Sequence, residues 1–180
     1  IGMQRHPQQA FLLQALAGLQ VAESPGLFPS PPGLRLQHAL DQGLQAQGVE
    51  RLNDQVVALN FQDPQRIIVS LQDQRGATQQ LSAERIILAT GHLASSGLVV
   101  HGATLREPIA ELPLFCDGQP IAQRQAWSLL GAKRHGPQAL LRTGLLVDDT
   151  LRPLRQDGLR PVHPRLFAAG AVLAGNDPVT

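Results

Sequence analysis

The stretch from Thr90 to Gly97 carries the residue types best suited to hold a ligand. It follows an apolar run, Ile86 to Ala89, which predicts a central strand of a parallel sheet that is covered on both faces. Gly91 lets the backbone turn tightly, and Ser96 with Gly97 keeps the following loop free of bulky side chains. Because ligands of open α/β sheets bind just past the carboxyl ends of such strands, we expect the chemistry here.

A second apolar run ends at glycine in the same way. Residues 166–169, Leu-Phe-Ala-Ala, lead into Gly170, and Gly175 follows shortly after. Small residues permit a ligand to approach the backbone closely, and free N–H groups beyond a strand bind phosphate oxygens. The two strand ends together predict a nucleotide-like ligand that lies along one edge of a sheet.

The composition indicates a packed protein and excludes several classes of function. Of the 180 residues 43% are hydrophobic and 16% are charged, which is typical of a folded domain rather than a disordered tail. A net charge of +1, no block of Lys or Arg, and only five Phe and one Trp argue against binding nucleic acid.

The single cysteine and the hydropathy pattern set further limits. Cys116 alone makes neither an internal disulfide nor a cysteine-based zinc site, and no metal site is predicted from the spacing of the histidines. No apolar run reaches the roughly 20 residues needed to span a bilayer, and the start lacks the apolar core of a signal peptide. We therefore expect a soluble, cytoplasmic chain with no direct membrane span.

The pattern along the chain predicts an α/β fold. Two amphipathic helices are expected at 7–20 and 34–47, separated by a Pro- and Gly-rich loop, with Gly48 ending the second helix. Strands expected at 49–59, 66–72 and 79–83 suggest an antiparallel β-meander. The passage from His92 to Arg142 is predicted to be an inserted, loop-rich lobe rather than sheet.

Five short motifs occur in a fixed order between residues 27 and 178. They are Leu27-Phe28-Pro29-Ser30-Pro31-Pro32, Leu88-Ala89-Thr90-Gly91 with Ser96-Gly97-Leu98-Val99, Leu105-Arg106-Glu107-Pro108-Ile109, Thr150-Leu151-Arg152-Pro153, and the run from Leu166 to Pro178. In these motifs the chain resembles the B subunit of anaerobic glycerol-3-phosphate dehydrogenase. Any one motif is weak, whereas the ordered set is specific.

The resemblance implies a partial FAD/NAD(P)-binding Rossmann-like domain. Residues 1–32 would form an N-terminal helix and Pro-rich linker, 33–91 and 143–180 parts of a flavin nucleotide-binding domain, and 92–142 an inserted cap or substrate lobe. The family's opening strand with Gly-x-Gly-x-x-Gly has no counterpart here, and Ala171 stands where many flavoproteins carry an acidic residue. We therefore expect the chain to be the C-terminal portion of a longer subunit, with a separately encoded, degenerate protein as the alternative.

The resemblance also implies an activity. The complete subunit would belong to a flavin-dependent glycerol-3-phosphate:quinone oxidoreductase, which converts glycerol 3-phosphate to dihydroxyacetone phosphate. Its cofactor would be FMN or FAD, with none bound to this portion alone. Its partners would be a catalytic flavoprotein subunit and an iron–sulfur, membrane-docking subunit, which would hold a cytoplasmic protein at the inner face of the membrane.

Specific residues carry these implied roles. The residues expected to contact the flavin are Thr90, Gly91, Ser96, Gly97, Gly170, Gly175 and Asp177. Arg106 and Arg152 are candidates to hold an anionic substrate or a flavin carbonyl, because a guanidinium binds such groups in a bidentate manner.

Several of these features also have plainer interpretations. Arg106 and Glu107 are equally well explained as an internal ion pair. His92 could act as an acid or base, but a loop residue hydrogen-bonded to the backbone is the favoured interpretation. Asp148 and Asp149 are better explained by a turn than by a cation site.

Two further functions remain open from the sequence. The missing glycine motif favours a non-catalytic fragment that contacts partner subunits through the cap lobe. A different flavin oxidoreductase with the same fold would also account for the glycine-terminated strands.

Overall fold

The computed structural model places most of the chain in two compact units. It describes residues 6–18, 20, 29–121, 126–130 and 138–175. One unit spans residues 1–52 and the other residues 53–180. Within the described residues no helix has the length and apolar character needed to cross a membrane.

The first unit contains two helices, as the apolar spacing predicts. Helix α1 spans His6–Ala17 and helix α2 spans Pro31–Ala46. Ser30 begins α2 by accepting a hydrogen bond from the Gly33 N–H at 3.3 Å, which satisfies one of the free donors of the first turn. Gly48 ends it with φ +71°, a left-handed conformation that glycine adopts without a Cβ clash.

The apolar side chains of both helices are exposed. Phe11 and Leu16 on α1 are 73% and 76% exposed, and Leu36 and Leu40 on α2 are 63% and 57% exposed. No residue of α2 is buried. The spacing of apolar residues therefore predicted these helices correctly, although their apolar faces contact little within the described residues.

The second unit begins with a three-stranded antiparallel sheet where the meander was expected. Its strands are β1 (Gln55–Asn60), β2 (Ile67–Gln72) and β3 (Thr78–Ala83), in the order β1-β2-β3. The turn between β2 and β3 is held by Asp73, whose Oδ1 accepts the N–H groups of Arg75 and Ala77, each at 2.8 Å. This local bonding explains why the Asp-Gln-Arg-Gly sequence makes a tight turn.

Two short parallel strands follow from the two apolar runs. Strand β4 (Ile86–Leu88) pairs in register with β10 (Leu166–Ala168), its partner from the far end of the chain. The pairing continues past both strands, because the Ala169 N–H donates to the Leu88 carbonyl at 3.0 Å. The carboxyl ends of β4 and β10 therefore lie side by side.

The expectation that β4 is covered on both faces is wrong. Leu88 is only 4% exposed, but its neighbour Ile87 is 68% exposed. Successive side chains of a strand point to opposite faces, and the described residues pack against only one face of this sheet. The continuous apolar run misled the prediction because it carries no polar residue to mark the open face.

The passage from His92 to Arg142 contains short strands, so the expectation of a loop-rich lobe rather than sheet is wrong in excluding sheet. Its short strands are β5 (Val99–His101), β6 (Thr104–Arg106), β7 (Leu114–Cys116) and β8 (Gln119–Pro120), and a short helix, α3, spans Ala139–Arg142. Strands β5 and β6 form one hairpin, and β7 pairs both with β8 and with β9 (Gly144–Leu145). These elements have two to four residues, too few to show a periodicity in the sequence.

One hydrophobic cluster joins this passage to the paired strands. Its buried members include Leu98, Leu105, Leu112, Leu114, Leu145, Leu166 and Val172. Cys116 is 6% exposed and belongs to the same cluster, which confirms its interpretation as a small buried hydrophobe. The role of residues 92–142 as a cap stays a prediction, but their core is shared with β4, β9 and β10.

Candidate functional site

The candidate site lies at the carboxyl edge shared by β4 and β10. Gly91 follows β4 with φ +76°, and Gly170 follows β10 with φ +79°. Both conformations lie in the left-handed region that glycine tolerates. The prediction that two apolar strands stop side by side at glycines is confirmed.

The loop after β4 is packed against itself. The His92 carbonyl accepts the Gly97 N–H at 3.0 Å, which closes a 3-10 turn at Leu93–Ser95. A Cβ on the buried Gly97 would overlap the Gly91 carbonyl oxygen. The packing of this loop against itself is therefore enough to explain the Thr-Gly and Ser-Gly motif, without a ligand.

His92 is hydrogen-bonded to a backbone carbonyl outside its own loop. Its Nε2 lies 2.8 Å from the carbonyl oxygen of Thr143, a fully buried residue. A carbonyl only accepts, so Nε2 carries the proton in this arrangement. The favoured interpretation of a backbone-bonded loop residue is confirmed.

Thr90 carries an unusual buried hydroxyl. Its Oγ1 is shielded from solvent and has no hydrogen-bond partner among the described residues. Thr90 lines a cavity of about 410 Å³ together with Ser95, Ser96 and Pro108. A buried hydroxyl without a partner costs about 1–3 kcal/mol, so a group that bonded to it would bind favourably.

The loop after β10 is open where the first loop is closed. Gly170 and Gly175 are exposed, and a Cβ built at either position meets no atom of the described residues within 4 Å. Gly144 of β9 packs closely against the backbone of this loop, since a Cβ on Gly144 would overlap the Val172 carbonyl oxygen. Asp177, the last of the expected flavin contacts, lies outside the described residues.

Arg152 is held by an aspartate. Its Nε and a terminal nitrogen each lie 2.8 Å from Oδ2 of Asp148, and Asp148 Oδ1 accepts the N–H groups of Thr150 and Arg152. The pKa of Asp148 lies far below its usual range. The largest lowering contribution is the hydrogen bond from the Arg152 backbone N–H, followed by those from the Thr150 hydroxyl and the Arg152 guanidinium, although partial desolvation raises the pKa. This confirms that Asp148 organises a turn.

Arg106 has a different environment from Arg152. It is exposed on β6, while the carboxylate of Glu107 is buried and accepts the N–H groups of Ile109 and Ala110 at 2.9 and 2.8 Å. The interpretation of Arg106 and Glu107 as an internal ion pair is therefore wrong, because the backbone already satisfies this carboxylate. No ion pair joins Arg106 to any described residue.

Arg106 lines a larger cavity, of about 930 Å³, and Arg155 lines it as well. Arg155 was missed from the sequence, because it lies in a polar loop whose position depends on contacts with Pro153 and Pro161 rather than on any local motif. No group of three metal-ligating side chains occurs in the part of the chain that the structure describes.

Comparison with known families decides what kind of domain this is. Residues 8–179 match the model of the FAD binding domain family. The chain belongs to this family. The open glycine loop of this FAD binding domain follows the parallel strands at the edge where α/β folds bind nucleotides.

Comparison with individual proteins confirms the resemblance seen in the motifs. The chain is 31% identical over 171 residues to a Vibrio cholerae protein and 32% identical over 169 residues to a Yersinia pestis protein, each named as the B subunit of anaerobic glycerol-3-phosphate dehydrogenase. It is 34% identical over 158 residues to a Halobacterium salinarum protein named as a probable subunit of the same kind. These matches cover 93%, 93% and 88% of this chain but only 36%, 37% and 35% of the relatives. The chain thus spans about a third of their length.

Proposed function

We propose that this FAD binding domain is a portion of a flavin-dependent glycerol-3-phosphate:quinone oxidoreductase subunit. The complete subunit would take part in converting glycerol 3-phosphate to dihydroxyacetone phosphate and in passing electrons toward quinone. Similarity to three relatives named as the B subunit of such a dehydrogenase supports this assignment. The structural observation that carries it is the side-by-side ending of β4 and β10 at Gly91 and Gly170.

The residues at this edge fit one side of a flavin nucleotide. The hydroxyl of Thr90, which has no partner among the described residues, provides a donor and an acceptor, and the open backbone at Gly170 and Gly175 allows a ligand to approach. A bound flavin supplies the redox chemistry by accepting a hydride from the substrate. We propose FAD as this flavin, because the family is an FAD binding family.

The two loops have different roles in this proposal: the first positions Thr90, and the second leaves its backbone open to the ligand. Gly91, Ser96 and Gly97 shape the first loop, so that Thr90 stays at the carboxyl end of β4. Gly170 and Gly175 leave the backbone of the second loop accessible. We propose that Asp177 adds a polar contact just beyond this loop.

Of the two candidate arginines, Arg106 is the better one for an anionic group. Its guanidinium is exposed and carries no carboxylate among the described residues, whereas that of Arg152 is neutralised by Asp148. An uncompensated guanidinium attracts a phosphate or carboxylate. We therefore assign Arg106 to substrate and Arg152 to positioning the loop that precedes β10.

The subunit would act with partners. The word "subunit" in the names of the relatives supports an assembly of several chains. We propose a catalytic flavoprotein subunit and an iron–sulfur subunit as these partners, the second of which would keep the cytoplasmic complex at the inner face of the membrane. This portion alone would be inactive and without flavin.

The test uses Thr90→Val, which removes the hydroxyl at nearly constant shape. In the full-length subunit we expect the dissociation constant of FAD to rise by about fivefold, because one hydrogen bond contributes about 1 kcal/mol. In the 180-residue chain the same change should preserve or raise the free energy of unfolding, because it deletes a polar group that has no partner among the described residues. FAD fluorescence quenching and urea denaturation measure the two effects.

Thr143→Val is the matched control. The Thr143 hydroxyl is buried but donates to the Ala139 carbonyl at 2.8 Å, so its loss should lower the free energy of unfolding by about 1 kcal/mol. FAD affinity should stay unchanged in this control. A full-length subunit purified without any flavin would overturn the proposed function, and equal FAD affinity in Thr90→Val would remove Thr90 from the site.

An interaction module is the second candidate, favoured by one observation. Helices α1 and α2 expose large apolar side chains, including Phe11, Leu16 and Leu36. Apolar surface of this kind often marks a contact with another chain. Retention of partner subunits by a full-length protein that binds no flavin would favour this function over the oxidoreductase.

A further inference from the structure

Four consecutive residues connect the two glycine loops of the candidate site. Residues 142–145, which we call the linking segment, run from the end of α3 through β9. Thr143, Gly144 and Leu145 are buried, so this stretch of backbone lies inside the protein. The proposed function gives the linking segment no role, although its carbonyl oxygens accept hydrogen bonds from both loops.

His92 attaches the first loop to the linking segment. Its ring Nε2 donates to the Thr143 carbonyl at 2.8 Å. The carbonyl of His92 accepts the N–H groups of Gly97 at 3.0 Å and Ser95 at 3.3 Å, which close the loop after β4. The residue on which the first loop closes is therefore also the residue that fixes this loop to the linking segment.

Two backbone hydrogen bonds attach the second loop to the same segment. The Gly175 N–H donates to the Arg142 carbonyl at 2.8 Å, and the Ala174 N–H donates to the Leu145 carbonyl at 2.9 Å. Gly175 is one of the residues expected to contact the flavin. The second loop is thus held at its far end by carbonyls that lie on either side of Thr143 in the chain.

The attachment points of the two loops are neighbours along the backbone. The Thr143 carbonyl holds the first loop, and the carbonyl of the preceding residue, Arg142, holds the second. Consecutive Cα atoms are about 3.8 Å apart, so no flexible stretch of chain separates the two points. The segment also has little room to shift, because a Cβ on Gly144 would overlap the Val172 carbonyl oxygen of the second loop. Since packed interiors transmit strain, a displacement of one loop should be passed to the other.

We propose that His92 is a positioning residue of the flavin site, which sets the place of the first loop relative to the second through the Thr143 carbonyl. Its ring bonds to the protein's own backbone and acts on the cofactor through that contact. A site built from two loops depends on such supporting contacts, because a small misplacement weakens the contacts of both loops. The role in FAD binding rests on the proposed function, whereas the link between the loops is a property of the chain without flavin.

Three substitutions of His92 test the link. His92→Gln places an amide donor at about the reach of the ring Nε2 and should keep the bond to the Thr143 carbonyl. His92→Asn carries the same amide one bond short of that reach, and His92→Leu carries no donor. Because the last two variants remove the bond in different ways, the test needs only one of them to fold.

The first measurement is amide hydrogen exchange in the 180-residue chain without flavin. His92→Asn and His92→Leu should raise the exchange rates of the Ala174 and Gly175 N–H groups by about fivefold, because the loss of one hydrogen bond makes their local opening easier. His92→Gln should stay within about twofold of the unmodified chain, since its bond is retained. The Leu59 N–H, which donates to the Ile109 carbonyl at 3.0 Å, is the internal reference for general stability.

Ser95→Ala is the control within the first loop. The Ser95 hydroxyl donates to the His92 carbonyl at 3.3 Å, so its removal disturbs the first loop but leaves the His92 ring on the Thr143 carbonyl. The exchange rates of Ala174 and Gly175 should therefore equal those of the unmodified chain.

The second measurement is the FAD affinity of the full-length subunit. The dissociation constant should rise by about fivefold in His92→Asn and His92→Leu, and His92→Gln should restore it. His163→Leu controls for the loss of a histidine that is bonded to the backbone. His163 is buried, its Nε2 lies 3.2 Å from the Asp63 carbonyl, and it precedes the amino end of β10 rather than the glycine edge. FAD affinity should stay unchanged in this control.

The outcomes separate the link, the flavin and general stability. Unchanged exchange at Ala174 and Gly175 in a folded His92→Asn or His92→Leu chain would overturn the proposal. An equal rise at Leu59, or an equal rise in Ser95→Ala, would overturn it as well. Raised exchange with an unchanged dissociation constant of FAD would remove His92 from the flavin site. A full-length subunit that binds no flavin would overturn the proposed function, and the exchange result would still stand.

Discussion

The two glycine loops at the edge of β4 and β10 look alike in sequence but differ in what their glycines do. In the loop after β4, a Cβ on Gly97 would overlap backbone atoms of the same loop. In the loop after β10, a Cβ on Gly170 or Gly175 would meet no atom within 4 Å in the part of the chain that the structure describes. Glycine is therefore required by internal packing in the first loop, and in the second by backbone conformation in an open space.

This difference teaches that a strand-to-glycine motif does not by itself identify a ligand contact. Close approach can be to the protein's own backbone, as it is at Gly97. The stronger indication of a ligand is glycine that has a left-handed backbone and empty space around it, as at Gly170. Substitutions in the two loops should therefore differ in their effects on stability and on FAD binding.

Gly97→Ala should have the largest effect on stability. The new Cβ has no room beside the Gly91 carbonyl, and the backbone of a closed loop must shift to admit it. We expect the free energy of unfolding to fall by about 3 kcal/mol in urea denaturation of the 180-residue chain. Gly43→Ala, in the last turn of α2 with no neighbouring atom of the described residues within 4 Å outside the helix's own backbone, should instead gain up to about 1 kcal/mol. Equal stability of Gly97→Ala and the unmodified chain would contradict the packed first loop.

Gly170→Ala should have a smaller effect on stability and a larger one on the cofactor. Alanine at φ +79° costs about 1 kcal/mol, and no clash adds to this cost. In the full-length subunit the added methyl group should reduce FAD affinity, because it occupies the open approach to the backbone.

Gly118→Ala isolates the conformational part of that prediction. Gly118 has φ +75° and open space around it, but it lies in the β7–β8 turn. Both variants should lose about 1 kcal/mol of stability, and only Gly170→Ala should lower the FAD content measured per polypeptide. Identical FAD contents would mean that the second loop is open for a reason other than the cofactor.

Asp148→Asn should have the smallest effect, and one that depends on pH. The loop of Asp148 supports β10 through the Leu151 carbonyl, which accepts the Ala168 N–H at 2.9 Å. Because the pKa of Asp148 is lowered in the folded state, its charge stabilises the fold above the unfolded pKa of about 3.9. This stabilisation is lost as the pH falls toward the lower folded pKa.

The measurement compares the free energy of unfolding of Asp148→Asn with that of the unmodified chain at neutral and acidic pH. Asp148→Asn should be less stable than the unmodified chain at pH 7, and the difference should shrink as the pH falls below about 4. Asp149→Asn, a change of the exposed neighbour, controls for the loss of one charge. A difference that persists unchanged in acid would show that Asp148 acts by shape rather than by its charge.

Much of the fold could be predicted from local patterns. The two helices, the antiparallel strands β1 to β3 and the turn at Asp73 all follow from spacing and turn chemistry within a few residues. The pairing of β4 with β10 was predicted as two strand ends at one edge, because both runs have the same pattern and both end in glycine.

The rest depends on contacts between distant residues. Strands β7 and β9 pair across a long connection, and each has too few residues to show a pattern. The Asp117-Gly118 pair was a readable hairpin signal, since both residues adopt positive φ in the turn that links β7 to β8. Arg155 had no such signal, because only the folded loop brings it to the cavity that Arg106 lines.

The pairing of Ile86 with Leu166 has a consequence for how the protein assembles. Nearly half of the polypeptide separates these partners, so the edge at which Gly91 and Gly170 follow the two strands exists only once the intervening chain has collapsed. Contacts of such long range form slowly compared with local hairpins. The nucleotide edge should accordingly be a late event in refolding, reached after β1 to β3 are in place.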